Sequence, residues 1–172
     1  MYQFFGCELW ALNNDDIELF CIAWRKALRR VIGVPCNAHS YLLPLLSNLL
    51  PIFDELCKRS ARFISSCLLS SCHLVRQISS YCVTYAKHRS VLGSNAILCC
   101  DRFGWSRDSF YAGLPDLSNT FFQHRYYAGV SDIEYSNALT LLELLFVREG
   151  RFVLPSFSKE DIMDMINLTA TA

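Results

Sequence analysis

Four cations packed into two helical turns, Arg25, Lys26, Arg29 and Arg30, are the residues best placed to do chemistry in this sequence. At about 100° per helical residue they form two adjacent i,i+4 rows on one arc. Phe20, Cys21, Trp24, Leu28, Val31 and Ile32 share the opposite arc. Like charges at that spacing repel by about 0.2–0.5 kcal/mol per pair, and no acid on the same rows offsets them. An anionic partner is therefore the direct functional reading, because phosphate contacts use flexible ammonium groups and forked guanidiniums on one exposed face. A solvated helix face is the plain alternative. Lys58, Arg59 and Arg62 form a second, lesser cluster, and from Leu56 to Cys100 the sequence contains no acid at all.

Other constellations carry less. Cys67, Cys72 and His73, with Cys82, His88, Cys99 and Cys100, supply zinc-ligand types, but neither a Cys-x2-Cys nor a His-x3-His pair occurs. Cys36 lies three residues before His39, without an orienting third group or a glycine motif for an oxyanion. His124 beside Arg125 reads as a surface pair. Asp15-Asp16 follows Asn13-Asn14, where acids favour a helix start. The seven glycines contain no phosphate-binding loop. No catalytic residue, metal site or cofactor is expected.

The elements that must position the basic face read as helices. Asn13 or Asn14 caps a helix with Asp15, Asp16 and Glu18 in its first turn, and Gly33 followed by Pro35 stops it. Ser40 opens a leucine-rich turn or two, Tyr41 to Leu50. Pro51 suits the first position of a third helix whose apolar residues are Ile52, Phe53, Leu56, Phe63, Ile64, Cys67 and Leu68. A fourth helix is expected from Leu74 to Tyr85 and a fifth from Asn95 to Phe103, closed by Gly104. After aromatic-rich turns from Trp105 to Gly129, Ser131 and Glu134 form a capping-box signature for a helix to about Glu149, and a weaker helix follows Ser158. The fold class is all-α, a helical bundle of about five to seven helices with a short extended N-terminal segment.

Bulk properties agree with a buried core: of 172 residues, 52% are hydrophobic and 19% charged. The net charge of zero hides an uneven distribution. Residues 1–18 carry four acids and no base, residues 19–107 carry twelve bases and three acids, and residues 108–172 carry four bases and nine acids. This suggests a basic domain over residues 1–104 and an acidic, aromatic-rich extension over residues 105–172. Nine irregularly spaced cysteines, with no signal peptide, read as reduced thiols of an intracellular protein, cytoplasmic or nuclear. Prolines and polar residues interrupt the uncharged run Val31 to Phe53, so no membrane partner is expected.

Three segments carry a family resemblance: Gly6-Cys7-Glu8-Leu9-Trp10, then Ala23 to Pro35, then His39-Ser40-Tyr41-Leu42-Leu43-Pro44-Leu45-Leu46. In this order they resemble the region just beyond the catalytic palm of reverse transcriptases from non-LTR (LINE-type) retrotransposons. There a tyrosine-glycine-x-glutamate-leucine-tryptophan segment leads into the thumb. Phe5 stands in place of the usual tyrosine, and Cys36-Asn37-Ala38-His39 departs from the commoner tyrosine-asparagine-threonine-histidine. The likeness covers residues 2–63. The family's catalytic aspartates have no counterpart, so Met1 is expected to open a product that begins after the active site, without polymerase activity. The resemblance implies a thumb and C-terminal fragment whose ancestral role is to grip RNA or an RNA/DNA template–product duplex. Arg25, Lys26, Arg29 and Arg30 would be the main phosphate contacts, with Lys58, Arg59 and Arg62 secondary. Two alternatives stand beside it. One is a helical protein-interaction or self-associating module, using Tyr2 to Trp10 where the palm or another protein would pack. The other is a relic with no selected function.

Overall fold

A computed structural model describes residues 6–34, 36, 40, 42–47 and 49–114. The expected helices after Ser131 and Ser158, and His39, His124 and Arg125, lie outside the described residues. Those residues contain a 3-10 turn, Cys7–Leu9, and six α-helices: α1 (Asp15–Ile32), α2 (Leu42–Ser47), α3 (Ile52–Leu68), α4 (His73–Thr84), α5 (Val91–Phe103) and α6 (Asp108–Tyr111). The all-α class is thus observed. In the N-terminal segment the 3-10 turn Cys7–Leu9 leads into an extended Trp10.

Local chemistry explains the helix boundaries. Asn14, the second of the two candidate caps, accepts the Asp16 backbone N–H on its Oδ1 at 3.2 Å. Three carboxylates in the first turn of α1 complement the positive end of the helix dipole. At the other end Gly33 takes φ +78°, and the Val34 N–H donates back to the Arg29 carbonyl at 2.9 Å, the long bond of a Schellman stop. Pro51 precedes α3 in extended geometry, one position earlier than expected. Helix α5 starts four residues before the expected Asn95, because Ser90 is its cap and accepts the Gly93 N–H at 3.0 Å. Gly104, at φ +68°, closes it as expected.

The chain divides into two compact units, Met1–Arg25 with Pro51–Leu117, and Lys26–Leu50 with Ser118–Ala172. In the first unit α3 is the central element. It packs against the 3-10 turn, α4, α5 and α6. Its burial is consequently not confined to one stripe: Cys57, Lys58, Ser60, Ala61 and Ser65 are buried along with Ile52, Leu56, Ile64 and Leu68. Phe53, Phe63 and Cys67 from the expected core are half-buried. Phe103, Trp105 and Phe110 form an aromatic cluster, with the Trp105 ring 4.8 Å from Phe103 and tilted 39° to it, and edge-on at 6.3 Å to Phe110. Ser65 donates to the Phe110 carbonyl at 3.1 Å, fixing α6 on α3.

Asn95 ties this unit together. Its Oδ1 accepts the Leu12 N–H at 3.0 Å, and its Nδ2 donates to the Trp10 carbonyl at 2.7 Å and to Ser60 Oγ at 3.2 Å. One buried amide thereby joins the N-terminal segment, α3 and α5. Cys7 and Leu12 are buried, Trp10 meets Phe20 edge-on at 5.5 Å, and Leu9 is exposed. The described part of the N-terminal segment is therefore built into the first unit's own core.

In the second unit, the C-terminal part of α1 leads to α2. Arg29 Nη2 donates to Ser40 Oγ at 3.1 Å, and Leu43 and Val34 are buried. Ser47 returns its hydroxyl to the Leu43 carbonyl at 2.6 Å.

Candidate nucleic-acid interface

Helix α1 carries its cations where the pattern placed them, after a first turn that holds all its acids. Lys26 and Arg30 are exposed, while Arg25 and Arg29 are half-buried. Beyond Glu18 the helix has no carboxylate. Arg29 is oriented by its bond to Ser40, so its guanidinium is held beside the turn that precedes α2. The apolar arc follows expectation at Cys21, which is buried, and Phe20, Trp24, Leu28 and Ile32 are half-buried. Val31 departs from it. It falls on the same arc but is 81% exposed, because burial needs a facing neighbour as well as a helical phase.

The second cluster is divided by burial. Lys58, expected as a secondary phosphate contact, is only 4% exposed, and its Nζ pairs with Glu55 Oε2 at 3.0 Å. Arg59 is half-buried and its Nε pairs with the other Glu55 oxygen at 2.9 Å. That hydrogen bond is the main cause holding the Arg59 guanidinium above its ordinary value. Two cations therefore share the Glu55 carboxylate, which offsets part of the cost of burying Lys58. Lys58 has no face to offer a polyanion in this arrangement. Arg62, one turn on, is exposed.

Arg102 makes a second internal pair, with Asp54, and its guanidinium lies 4.9 Å from the centre of the Phe53 ring. It borders an open cleft of about 540 Å³ that Phe53, His88, Ile97, Leu98 and Asp101 also line. The periodicity of α3 and α5 carries no signal for that ion pair, since its partners are 48 residues apart.

Among the described residues no three His, Cys, Asp or Glu side chains converge as metal ligands would. The cysteines are free thiols, and Cys7, Cys21, Cys57 and Cys99 are buried. Cys99 donates to the Cys57 carbonyl at 3.5 Å. The Cys57 side chain, and then burial, push the Cys99 thiol well up, while burial is the leading cause that raises Cys7, Cys21 and Cys100. Raised thiols are protonated at neutral pH and are poor nucleophiles and poor metal ligands. Comparison of the chain with protein-family models, curated proteins and solved structures found no match. Among the described residues no helix is long and apolar enough to cross a membrane.

What the arrangement can do chemically is bind anions. Lys26 and Arg30 present an ammonium and a guanidinium to solvent on successive turns of α1, and no carboxylate of the helix follows Glu18 to compete for an anion there.

Proposed function

We propose that this chain is a non-catalytic helical fragment that grips nucleic acid, RNA or an RNA/DNA template–product duplex, through the second half of α1. The observation that carries the reading is the run Arg25, Lys26, Arg29 and Arg30 on a helix with no carboxylate after Glu18, with Lys26 and Arg30 open to solvent. The likeness of residues 2–63 to the region beyond the palm of LINE-type reverse transcriptases supports the same role. Such a role belongs to the cytoplasm or nucleus. Arg62 serves as an auxiliary contact, whereas Lys58 and Arg59 act within the fold by neutralising Glu55.

The test is binding to a short RNA/DNA hybrid, followed by fluorescence anisotropy across a salt series. Affinity should fall steeply with salt, with a log–log slope of about one per phosphate contact. The Arg29→Ala/Arg30→Ala variant should bind more weakly and lose roughly two from that slope. Lys58→Met should leave the slope unchanged. Absence of binding at low salt refutes the reading, and so does a slope indifferent to the α1 cations.

A further inference from the structure

Helix α4 carries a large apolar arc on its exposed side. At about 100° per residue, Leu74, Ile78, Tyr81 and Tyr85 fall within an arc of roughly 60°, and all four are exposed, at 63%, 56%, 61% and 79%. The face that α4 turns to α3 and α5 is represented by Ser79 and Val83, both buried. Val83 lies about 180° from Leu74 around the helix. The large side chains of this arc thus point to solvent, and Val75, 39% exposed, widens the same stripe. Tyr81 and Tyr85 pack ring to ring at 5.8 Å. Tyr111 lies along the opposite flank, its hydroxyl 3.4 Å from both Ser80 and Thr84, and leaves the stripe uncovered.

We infer that this stripe is a self-association surface, and that its occupant is α4 of a second copy lying antiparallel. The spacing of the four residues, 4-3-4, reads the same in both directions. A two-fold axis between Ser79 and Ser80 therefore sets Leu74 against Tyr85 of the second copy and Ile78 against Tyr81 of the second copy. Each large ring then meets a smaller aliphatic group, and each contact is made twice, as in an isologous two-fold interface. A parallel pairing would instead set ring against ring and Leu74 against its own counterpart. The seam contains no charge, because Arg76 sits about 200° around the helix from Leu74 and is tied back to the Ser70 carbonyl at 3.3 Å.

The area agrees with a modest affinity. The stripe exposes roughly 600 Å² per copy, so a seam covering most of it removes about 1,000 Å² in total, where specific association begins. Flanking charge sets its salt dependence. Arg76 on α4 and Lys87 and Arg89 just after it are the cations beside the stripe in sequence, with no acid among residues 56–100, so two copies repel at their margins while the seam attracts. Salt screens only the margins. Association should therefore strengthen as salt rises, opposite to the behaviour of nucleic-acid binding by α1. The inference does not depend on that binding.

Sedimentation velocity of the full chain from roughly 5 to 500 µM, a range suited to a small interface, tests the pairing. The mass is expected to rise from 19.7 kDa toward twice that value, and to rise further in high salt. Ile78→Glu and Tyr81→Lys, both at exposed positions, should each hold the chain at 19.7 kDa. Mixing the two variants should restore association, since position 78 faces position 81 only in the antiparallel seam. Restoration also shows that both variants are folded. A monomer at every concentration, association that neither single substitution weakens, or a mixture that stays monomeric overturns the inference. So does a mass increase that requires an added acidic protein or single-stranded nucleic acid.

Discussion

Replacing Asn95 with leucine removes three hydrogen bonds at once while nearly preserving side-chain volume. The wild-type amide is 1% exposed, and its partners are the Leu12 N–H, the Trp10 carbonyl and the Ser60 hydroxyl. Among the described residues no buried side-chain nitrogen or oxygen lacks a partner, so no idle side-chain group stands ready to replace the amide. Leucine would leave two backbone groups and a hydroxyl facing hydrocarbon, at about 1–3 kcal/mol for each group left unsatisfied. With partial relaxation the expected loss is about 3–5 kcal/mol, a large share of the 5–15 kcal/mol typical of a domain. Urea unfolding followed by tryptophan fluorescence should show the midpoint falling by roughly 2 M for a slope near 2 kcal/mol/M. Hydrogen exchange gives the local readout: the Leu12 amide should lose protection beyond the global loss. A change below about 1 kcal/mol, or a Leu12 amide as protected as before, would refute the assignment of Asn95 as the tie. The Asn95→Asp variant adds a pH signature. Its carboxylate could still accept from Leu12, but only the protonated acid could donate to the Trp10 carbonyl. The folded state would therefore raise its pKa above the unfolded value of about 3.9. With more protons on the folded than the unfolded state in that window, stability should fall as pH rises through it.

Three further outcomes are expected. A Cβ on Gly93 would lie 2.5 Å from the Cys82 carbonyl oxygen and 2.6 Å from Lys87 Cα, so Gly93→Ala should cost about 1–3 kcal/mol despite better helix propensity, as measured by thermal melting. Glu55→Ala should destabilise by about 1–3 kcal/mol by removing the carboxylate that Lys58 and Arg59 share, and the added Lys58→Met change should recover part of that loss in a double-mutant cycle. The raised thiols Cys7, Cys21, Cys99 and Cys100 keep their protons in the folded chain at pH values where the unfolded chain loses them. Stability should accordingly be intact below the unfolded thiol value of 9.0 and decline as pH rises past it, which urea titrations at stepped pH would show.

Helix ends were the most legible feature in the sequence. Asn14, Gly33 and Gly104 act through their own side chain or backbone within a few residues, so local order suffices to find them. The same local logic placed the basic run on α1. Ser90 caps α5 by the same local chemistry, four residues ahead of the expected start at Asn95. Gly93 belongs inside α5 only because α4 and the following turn approach too closely for a side chain.

What local pattern alone determined, then, was an all-α chain, the helix stops and a cation run free of acids. Which way each helix faces was decided by its neighbours. Lys58 and Arg62 are four residues apart on α3, yet one is buried with Glu55 and the other exposed, because α3 is surrounded on several sides. Val31 shares the apolar arc of α1 but stands in solvent, and α4 turns Leu74, Ile78, Tyr81 and Tyr85 outward. Periodicity specifies arcs on a helix surface. Only packing between residues distant in the chain, such as Asn95 with Trp10 and Leu12, chooses the arc that is buried.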